Sequence, residues 1–578
     1  MSRRWIFIGL LLAVSIATAE IIYWRSLAPE LPRAEARPLD EVVPQGALLY
    51  VEARDFSGLL KAWNSSPEKA AWIGSNSKSV FSQSRLFLRL QRFLNHFAAA
   101  AGLPPDTEFV TAVAGEESAL ALYDVGKIQF VYVTRLPSRD FLNSALWQSR
   151  NKFPTRFAGG VTFFLGADEP SKQAVAFAVA GDYFVLATRE DLMVQTLELL
   201  DKKPVRSLSQ ERWYVAAVAS AAKERGDLRM VLDMKRIAIE PHFRTYWIQQ
   251  NITEMQGYSA VVSDLYRQGK IYREERVLLR KSRGDAGTEA SEDRSQAVVN
   301  LLRLIPAEYG FYQARPAGSD EALEALQQII APQTQQAAET QRQAPQLVLT
   351  GGEVGSESDF ETRIDAAIRN ESEANHGSPE LKKQLELTGP MAVLEIQGTR
   401  SSSDNPMISM SHLLIVNAAQ PWDMSAIRQA MQSQLARALT VSELGVQWSA
   451  VNNSQDEFEL NGLHPLYVAV RGKLLYVGND REILTKALNS SGLSHPVEGT
   501  TYDAGFNHAR ERLNFFELSR ILDLASEPAR WDGSNPPRFF SQTIESLSDT
   551  LDALESERVT EHEENDKVFQ TVTYTWSR

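Results

Sequence analysis

A chain of 578 residues with 43% hydrophobic and 23% charged residues is long enough for more than one folded core and is not composed like a disordered one. Acids outnumber bases by 73 to 60, a net charge of −13, and no basic stripe interleaved with aromatics offsets it, which argues against a nucleic-acid partner. The absence of cysteine excludes thiol catalysis, disulfides and thiolate metal sites, and it suits an oxidising compartment.

Ser2-Arg3-Arg4 precedes an apolar run from Trp5 to Ala19 that resumes after Glu20 as Ile21-Ile22-Tyr23-Trp24. A helix over residues 5–24 would be about 30 Å long at about 1.5 Å per residue, enough to span a bilayer with tryptophan at each interface. Ala17-Thr18-Ala19 also has the small-x-small form of a signal-peptidase site, which would release a secreted chain cut near Ala19. Residues 1–25 therefore read as a transmembrane anchor or a signal peptide. Under both readings Arg3 and Arg4 keep the N-terminus in the cytoplasm. The bulk is then expected outside the cytoplasm, on the far side of that membrane. Pro29, Pro32 and Pro38 among charges make residues 26–40 a stiff stalk.

After the stalk the chain writes one pattern twice. Val43-Pro44-Gln45-Gly46 leads into a strand from Ala47 to Ala53, and Ile305-Pro306-Ala307-Glu308 leads into Tyr309 to Ala314. Helical periodicity follows the first strand over Phe56–Trp63 and Val80–Ala101, where Phe81, Leu86, Leu88, Leu90, Phe93, Leu94 and Phe97 form a broad apolar face that needs a cover. Ser118 to Thr134 reads as two strands joined around Val125-Gly126, and Met391 to Val416 as two strands around a polar turn from Gly398 to Pro406. A proline-marked helix comes next in each half, from Ser138 and from Trp422. Strand pairs follow, Val161–Leu165 with Ala174–Val179 and Val446–Val451 with Leu466–Val470. The clearest echo is Gly181–Leu200 against Gly472–Ser491: a glycine turn, a short apolar strand, a capping residue (Thr188 or Asn479), then a helix with Leu192, Met193 and Leu197, or Ile483, Leu484 and Leu488, on one face. Leu228–Ile237 pairs in the same way with Leu513–Leu522.

Each half closes on a hairpin, turning at Gln268-Gly269 and near Asn565-Asp566. The domains expected are thus a first α+β repeat over 41–280, a polar linker over 281–296 and a second α+β repeat over 297–578, with 327–346 a Gln-rich insertion. Each repeat is expected to be an antiparallel sheet of six to eight strands with helices packed on one face.

Chemistry is sparse. Ser66-x-x-Lys69 and Ser75-x-x-Lys78 imitate a serine–lysine pair, with Ser403-Asp404-Asn405 at a distance, but no Lys-Thr-Gly accompanies them, and helix capping accounts for both serines. Gly351-Gly352-Glu353-Val354-Gly355 is too acidic, with Glu357 and Asp359 next to it, to cradle a phosphate. The eight histidines never stand at the spacing of a helical zinc pair, and the acids from Glu555 to Asp566 lack the ligand order of a calcium loop. No catalytic, cofactor or metal residue is assigned. The tryptophans mostly sit in apolar periodic segments and read as core.

The strand opened by Val43-Pro44, the glycine–strand–helix motif at Gly181 and Gly472, and the closing hairpins resemble a family of bacterial envelope proteins defined by a domain of unknown function, over most of residues 40–578. The resemblance implies an exported, membrane-anchored protein and carries over no catalytic residue. The expected role is non-enzymatic binding or scaffolding of an envelope protein partner or lipid. A carrier of apolar cargo and a hydrolase of envelope polymers are the alternatives. What recurs between the halves is glycine, proline and apolar residues, whereas polar residues at matched places differ, as with Asp124 against Gln397 and Asp233 against Glu517.

Overall fold

The structure, a computed structural model, describes residues 37–330, 379–512 and 553–577 apart from short breaks at 76–77, 79–80, 105–107, 137–139, 169–170, 172, 223, 245–254, 282–287, 403–404, 440–447, 452–453, 461–464 and 491–497. The anchor read at 5–24, most of the stalk, the glycine-rich stretch at 351–355 and all but the start of the Gln-rich insertion lie outside the described residues. Among the described residues no helix is long and apolar enough to cross a membrane. The architecture is α+β with antiparallel sheet. By internal contact the chain divides into two compact units, essentially residues 37–266 and 267–577, with 71–78 grouped in the second and 277–279 in the first.

In the first unit the strands are β1 (Leu49–Ala53), β2 (Ser118–Asp124), β3 (Gln129–Arg135), β4 (Thr155–Ala158), β5 (Val161–Asp168), β6 (Gln173–Ala180), β7 (Tyr183–Ala187), β8 (Leu228–Leu232) and β9 (Tyr258–Gln268). They pair antiparallel in the order β4-β5-β6-β7-β3-β2-β1-β8-β9. All five residues of β7 are buried, as a strand covered on both faces requires. On one face Phe97, Ala100 and Ala101 of the helix Arg85–Ala101 meet Phe177 of β6 and Phe184 and Leu186 of β7. The helix Glu190–Leu200, with Leu192, Met193 and Leu197 buried, also packs on β6 and β7.

β10 (Ile271–Arg280) follows β9 through a turn at Gly269, whose φ of 61° is the left-handed conformation glycine adopts most readily. The second unit contains β11 (Phe311–Pro316), β12 (Pro390–Ser402), β13 (Asn405–Ala418), β14 (Ser449–Ala450), β15 (Glu457–Leu460), β16 (Leu466–Arg471), β17 (Leu474–Gly478), β18 (Thr500–Asn507), β19 (Leu554–Glu564) and β20 (Lys567–Trp576). Their order is β14-β15-β16-β17-β13-β12-β11-β18-β19-β20, again antiparallel throughout.

Several expectations are corrected. The sheets are wider than six to eight strands. Helices also cover both faces of the second unit's sheet rather than one. Val393, Leu414 and Val416 face the helices Ser319–Ile330, Pro379–Thr388 and Met424–Leu439. Their neighbours Leu394, Leu413 and Ile415 face Thr288–Leu302 and Arg481–Leu488. Alternation sends adjacent residues to opposite faces, so unbroken apolar runs such as Leu413–Val416 need two covers.

The helix Thr288–Leu302 begins inside the stretch read as a linker, because Ala297, Val298, Leu301 and Leu302 bury its far end. The stalk ends early: Leu39 is buried, and Arg37 donates to the Leu199 carbonyl at 2.7 Å. The strand that pairs with β11 as β8 pairs with β1 is β18, not Leu513–Leu522, which lies outside the described residues. By the same logic Val446–Val451, matched in sequence to β5, contributes β14, which holds the edge position that β4 holds in the first unit.

Thr188 and Asn479 are not helix caps. The caps fall one residue later, at Arg189 and Asp480, and Asp480 accepts from the Glu482 N–H at 2.7 Å. Thr188 instead prolongs the ladder: its N–H donates to the Phe130 carbonyl at 3.1 Å, and its Oγ1 accepts from the Phe130 N–H at 2.8 Å. Asn479 does the same to His412, at 3.1 and 2.7 Å. A side-chain oxygen here stands in for a missing backbone carbonyl. The turns before these strands are held by Gly181 and Gly472 at φ 62° and 60°.

Candidate functional site

The residues that imitated chemistry in the sequence are spent on local structure. Ser66 Oγ accepts from the Lys69 N–H at 3.1 Å while the Lys69 ammonium reaches Asn64 Oδ1 at 2.5 Å, so serine and lysine serve a cap and a turn. Ser75 likewise accepts from the Lys78 N–H at 3.1 Å. Ser403 and Asp404 lie outside the described residues. Among the described residues no group of three or more histidines and acids is placed to hold a metal ion. Of the closing acids, Glu561 takes a hydrogen bond from Gln570 at 2.5 Å.

Two clusters of buried polar groups were not visible in the sequence. In the first unit, Tyr50 on β1 is fully buried and donates to Glu52 Oε2 at 3.0 Å, and its ring meets Tyr214 edge-on at 5.6 Å. Tyr214 in turn donates to Asp40 Oδ2 at 3.0 Å, and Arg225 pairs with Glu52. On the neighbouring strands Arg229 and Asp264 face each other in register and form a two-pronged ion pair at 2.8 and 2.7 Å, both nearly excluded from solvent. The second unit has a related cluster: fully buried Tyr312 donates to Asp503 Oδ1 at 2.8 Å, and Arg558 grips the same carboxylate at 3.1 and 2.6 Å.

Burial raises the Glu52 carboxyl above the ordinary range, and Arg225 and the Tyr50 hydroxyl only partly offset it. A carboxyl raised in the folded state contributes stability below its unfolded pKa and loses it as pH rises through the folded value. Glu52→Gln is therefore expected to gain melting temperature relative to the parent as pH rises from the ordinary range of glutamate toward 7–8, on top of a pH-independent cost for the lost pairing with Arg225. Thermal scans across pH check this, and a gain that grows on acidification would contradict it.

The open site is a groove of about 740 Å³ in the first unit, lined among others by Arg206, Glu211, Arg212, Trp213, Asp233, Lys235 and Arg236. Its two carboxylates are already engaged. Asp233 caps a short helix and accepts from Arg236 Nε at 2.6 Å. Glu211 accepts from the Gly46 N–H at 2.7 Å and from Trp213 Nε1. Arg236 also donates to the carbonyls of Gly46 and Ala47 at 3.1 and 2.6 Å and lies over the Trp213 ring at 5.9 Å. Arg206, Arg212 and Lys235 stand exposed at the rim. A neighbouring depression adds Arg37, Lys202 and Lys203 against Glu41. In a chain of net charge −13 this is a local concentration of positive charge.

No protein-family model and no curated protein matches the sequence. Among solved structures the chain is similar to crystal form I of TP0453, at 12% identity and a TM-score of 0.25, covering 44% of this chain and 82% of that one. Crystal forms IV and III of the same protein follow, each at 10% identity and a TM-score of 0.24, covering 42% and 46% of this chain and 81% and 88% of theirs. At those TM-scores the likeness carries no argument. The groove therefore has to be read from its own residues: the bound carboxylates fix Arg236 and Trp213 as a floor, and the exposed cations define what it attracts.

Proposed function

We propose that this is an exported, membrane-anchored bacterial envelope protein that binds or scaffolds an acidic partner and does no covalent chemistry on it. The observation that carries the reading is the groove of the first unit, whose carboxylates are consumed by Arg236, Gly46 and Trp213 while Arg206, Arg212 and Lys235 stay exposed. Such a site attracts and orients an anionic surface. The apolar run at residues 5–24, behind Arg3 and Arg4, supports the anchored location.

We further read the two units as copies of one fold. In support, the order β4-β5-β6-β7-β3-β2-β1-β8-β9 recurs as β14-β15-β16-β17-β13-β12-β11-β18-β19. The left-handed glycines at 181 and 472, the ladder-extending Thr188 and Asn479, and the buried Tyr50 and Tyr312 recur with it. Arg229 stands opposite Glu52 and Asp503 stands opposite Ala314, so one buried position has reversed its charge between the copies. A duplicated active site keeps or visibly degrades one polar constellation. Here the recurring groups hold backbone and sheet, which favours binding over catalysis.

The location is tested by fusions after Arg578. Alkaline phosphatase there is expected to be active and β-galactosidase inactive; the opposite pattern would overturn the exported reading. N-terminal sequencing that begins at Glu20 would select the cleaved form over the anchor.

A further inference from the structure

The apolar face of the helix Arg85–Ala101 is only half covered. Its C-terminal half is fixed in the core: Phe97, Ala100 and Ala101 are buried, and Gly102 closes the helix in a left-handed cap at φ 62°. Arg89 reaches back to the carbonyls of Val125 and Gly126, at 2.9 Å to the former, and holds the helix against the turn between β2 and β3. The N-terminal half is different. Leu86 and Leu90, four residues apart on the face that also carries Phe97, are 36% and 47% exposed, and Phe81 just before them is 45% exposed. The helix Phe56–Asn64 buries none of its nine residues, and its Trp63 is 49% exposed, where the sequence had suggested core.

This apolar surface lies in a stretch of reversed charge. Residues 56–104 carry Lys61, Lys69, Lys78, Arg85, Arg89 and Arg92 against the single acid Glu68, a balance of 6 − 1 = +5 in a chain of net charge −13. Apolar side chains among cations suit the headgroup boundary of an anionic bilayer, where the rings and leucines enter the acyl edge and the cations meet phosphate. With Arg37 and Leu39 already part of the first unit, a stalk over residues 26–36 would extend about 35 Å at about 3.1 Å per residue, so an anchored chain keeps the first unit close to that surface. We propose that the helix Phe56–Asn64 and the N-terminal half of Arg85–Ala101 rest in the surface of an anionic lipid leaflet, as a second membrane contact besides residues 5–24. The inference rests on the membrane-anchored reading above.

Because the chain has no cysteine, one introduced thiol reports one site. Full-length Leu90→Cys and, as control, Val215→Cys on the exposed side of the helix Arg212–Ser220 are spin-labelled and reconstituted into vesicles with or without phosphatidylglycerol. In anionic vesicles the label at 90 is expected to collide with oxygen several-fold more, relative to a water-soluble nickel chelate, than the label at 215. The difference should fade in purely zwitterionic vesicles. Leu86→Glu, one turn away on the same exposed face and checked for unchanged circular dichroism, should abolish it. A label at 90 that stays aqueous in protein that floats with vesicles overturns the proposal and leaves the anchor standing. A label immobilised yet aqueous also overturns it, in favour of a protein or a second copy on this face. Protein that does not float at all overturns the anchored reading and this inference together.

Discussion

Replacing Asp264 with alanine is expected to destabilise the first unit by about 3–5 kcal/mol, the usual cost of leaving one partner of a buried ion pair alone. Arg229 and Asp264 are 4% and 2% exposed, so the guanidinium left behind stays out of water, with the Ala222 carbonyl at 3.2 Å and Glu52 on the facing strand near it in place of a two-pronged carboxylate. Asp264 also accepts from the Gly226 N–H at 3.0 Å, which would lose its partner as well. In a unit of this size such a loss lowers the midpoint of thermal unfolding by about 10 °C. Arg229→Met combined with Asp264→Leu should recover most of it, because apolar residues of similar volume replace a buried pair at little cost. Calorimetry of the single and double variants decides. A single variant within about 1 kcal/mol of the parent would show that the pair does not hold these strands.

Reversing the groove's rim charge, Arg206→Glu with Lys235→Glu, is expected to lower partner occupancy at least tenfold. Both side chains are exposed and neither supports the fold, so stability should move little. Like charges brought against an acidic partner cost several kcal/mol, and about 1.4 kcal/mol already corresponds to tenfold in affinity. Arg206→Lys should retain binding, since the reading asks for charge at the rim and for rigid geometry only at Arg236. Unchanged occupancy in the reversed variant would remove the groove from the account.

The strands and left-handed turns were legible because alternation and glycine are local signals. Gly181, Gly269 and Gly472 each stand where the chain reverses. Thr188 and Asn479 were misread because a capping oxygen and a ladder-extending oxygen look the same in sequence; only the neighbouring strands β3 and β13 decide. The hairpin β12–β13 runs further than its apolar core suggested. Its tip is polar, and Gly398 still pairs with Ser411 and Arg400 with Ser409. The helix Thr288–Leu302 hid behind an acidic first half. The candidate site was not legible at all. Arg206 meets Gln45 through the bridge of Pro44 with Ser207, Arg236 meets Gly46 beyond the end of the β1–β8 pairing, and Arg229 meets Asp264 across 35 residues of chain. Spacing in one dimension says nothing about either.

The most direct test of the account is native mass spectrometry of the full chain extracted in mild detergent, together with whatever stays bound. A stoichiometric acidic protein is expected on the wild type and is expected to be lost from the Arg206→Glu, Lys235→Glu variant. A stoichiometric lipid in place of a protein, or turnover of an envelope polymer abolished by changing one groove acid such as Glu211 to glutamine, would contradict it.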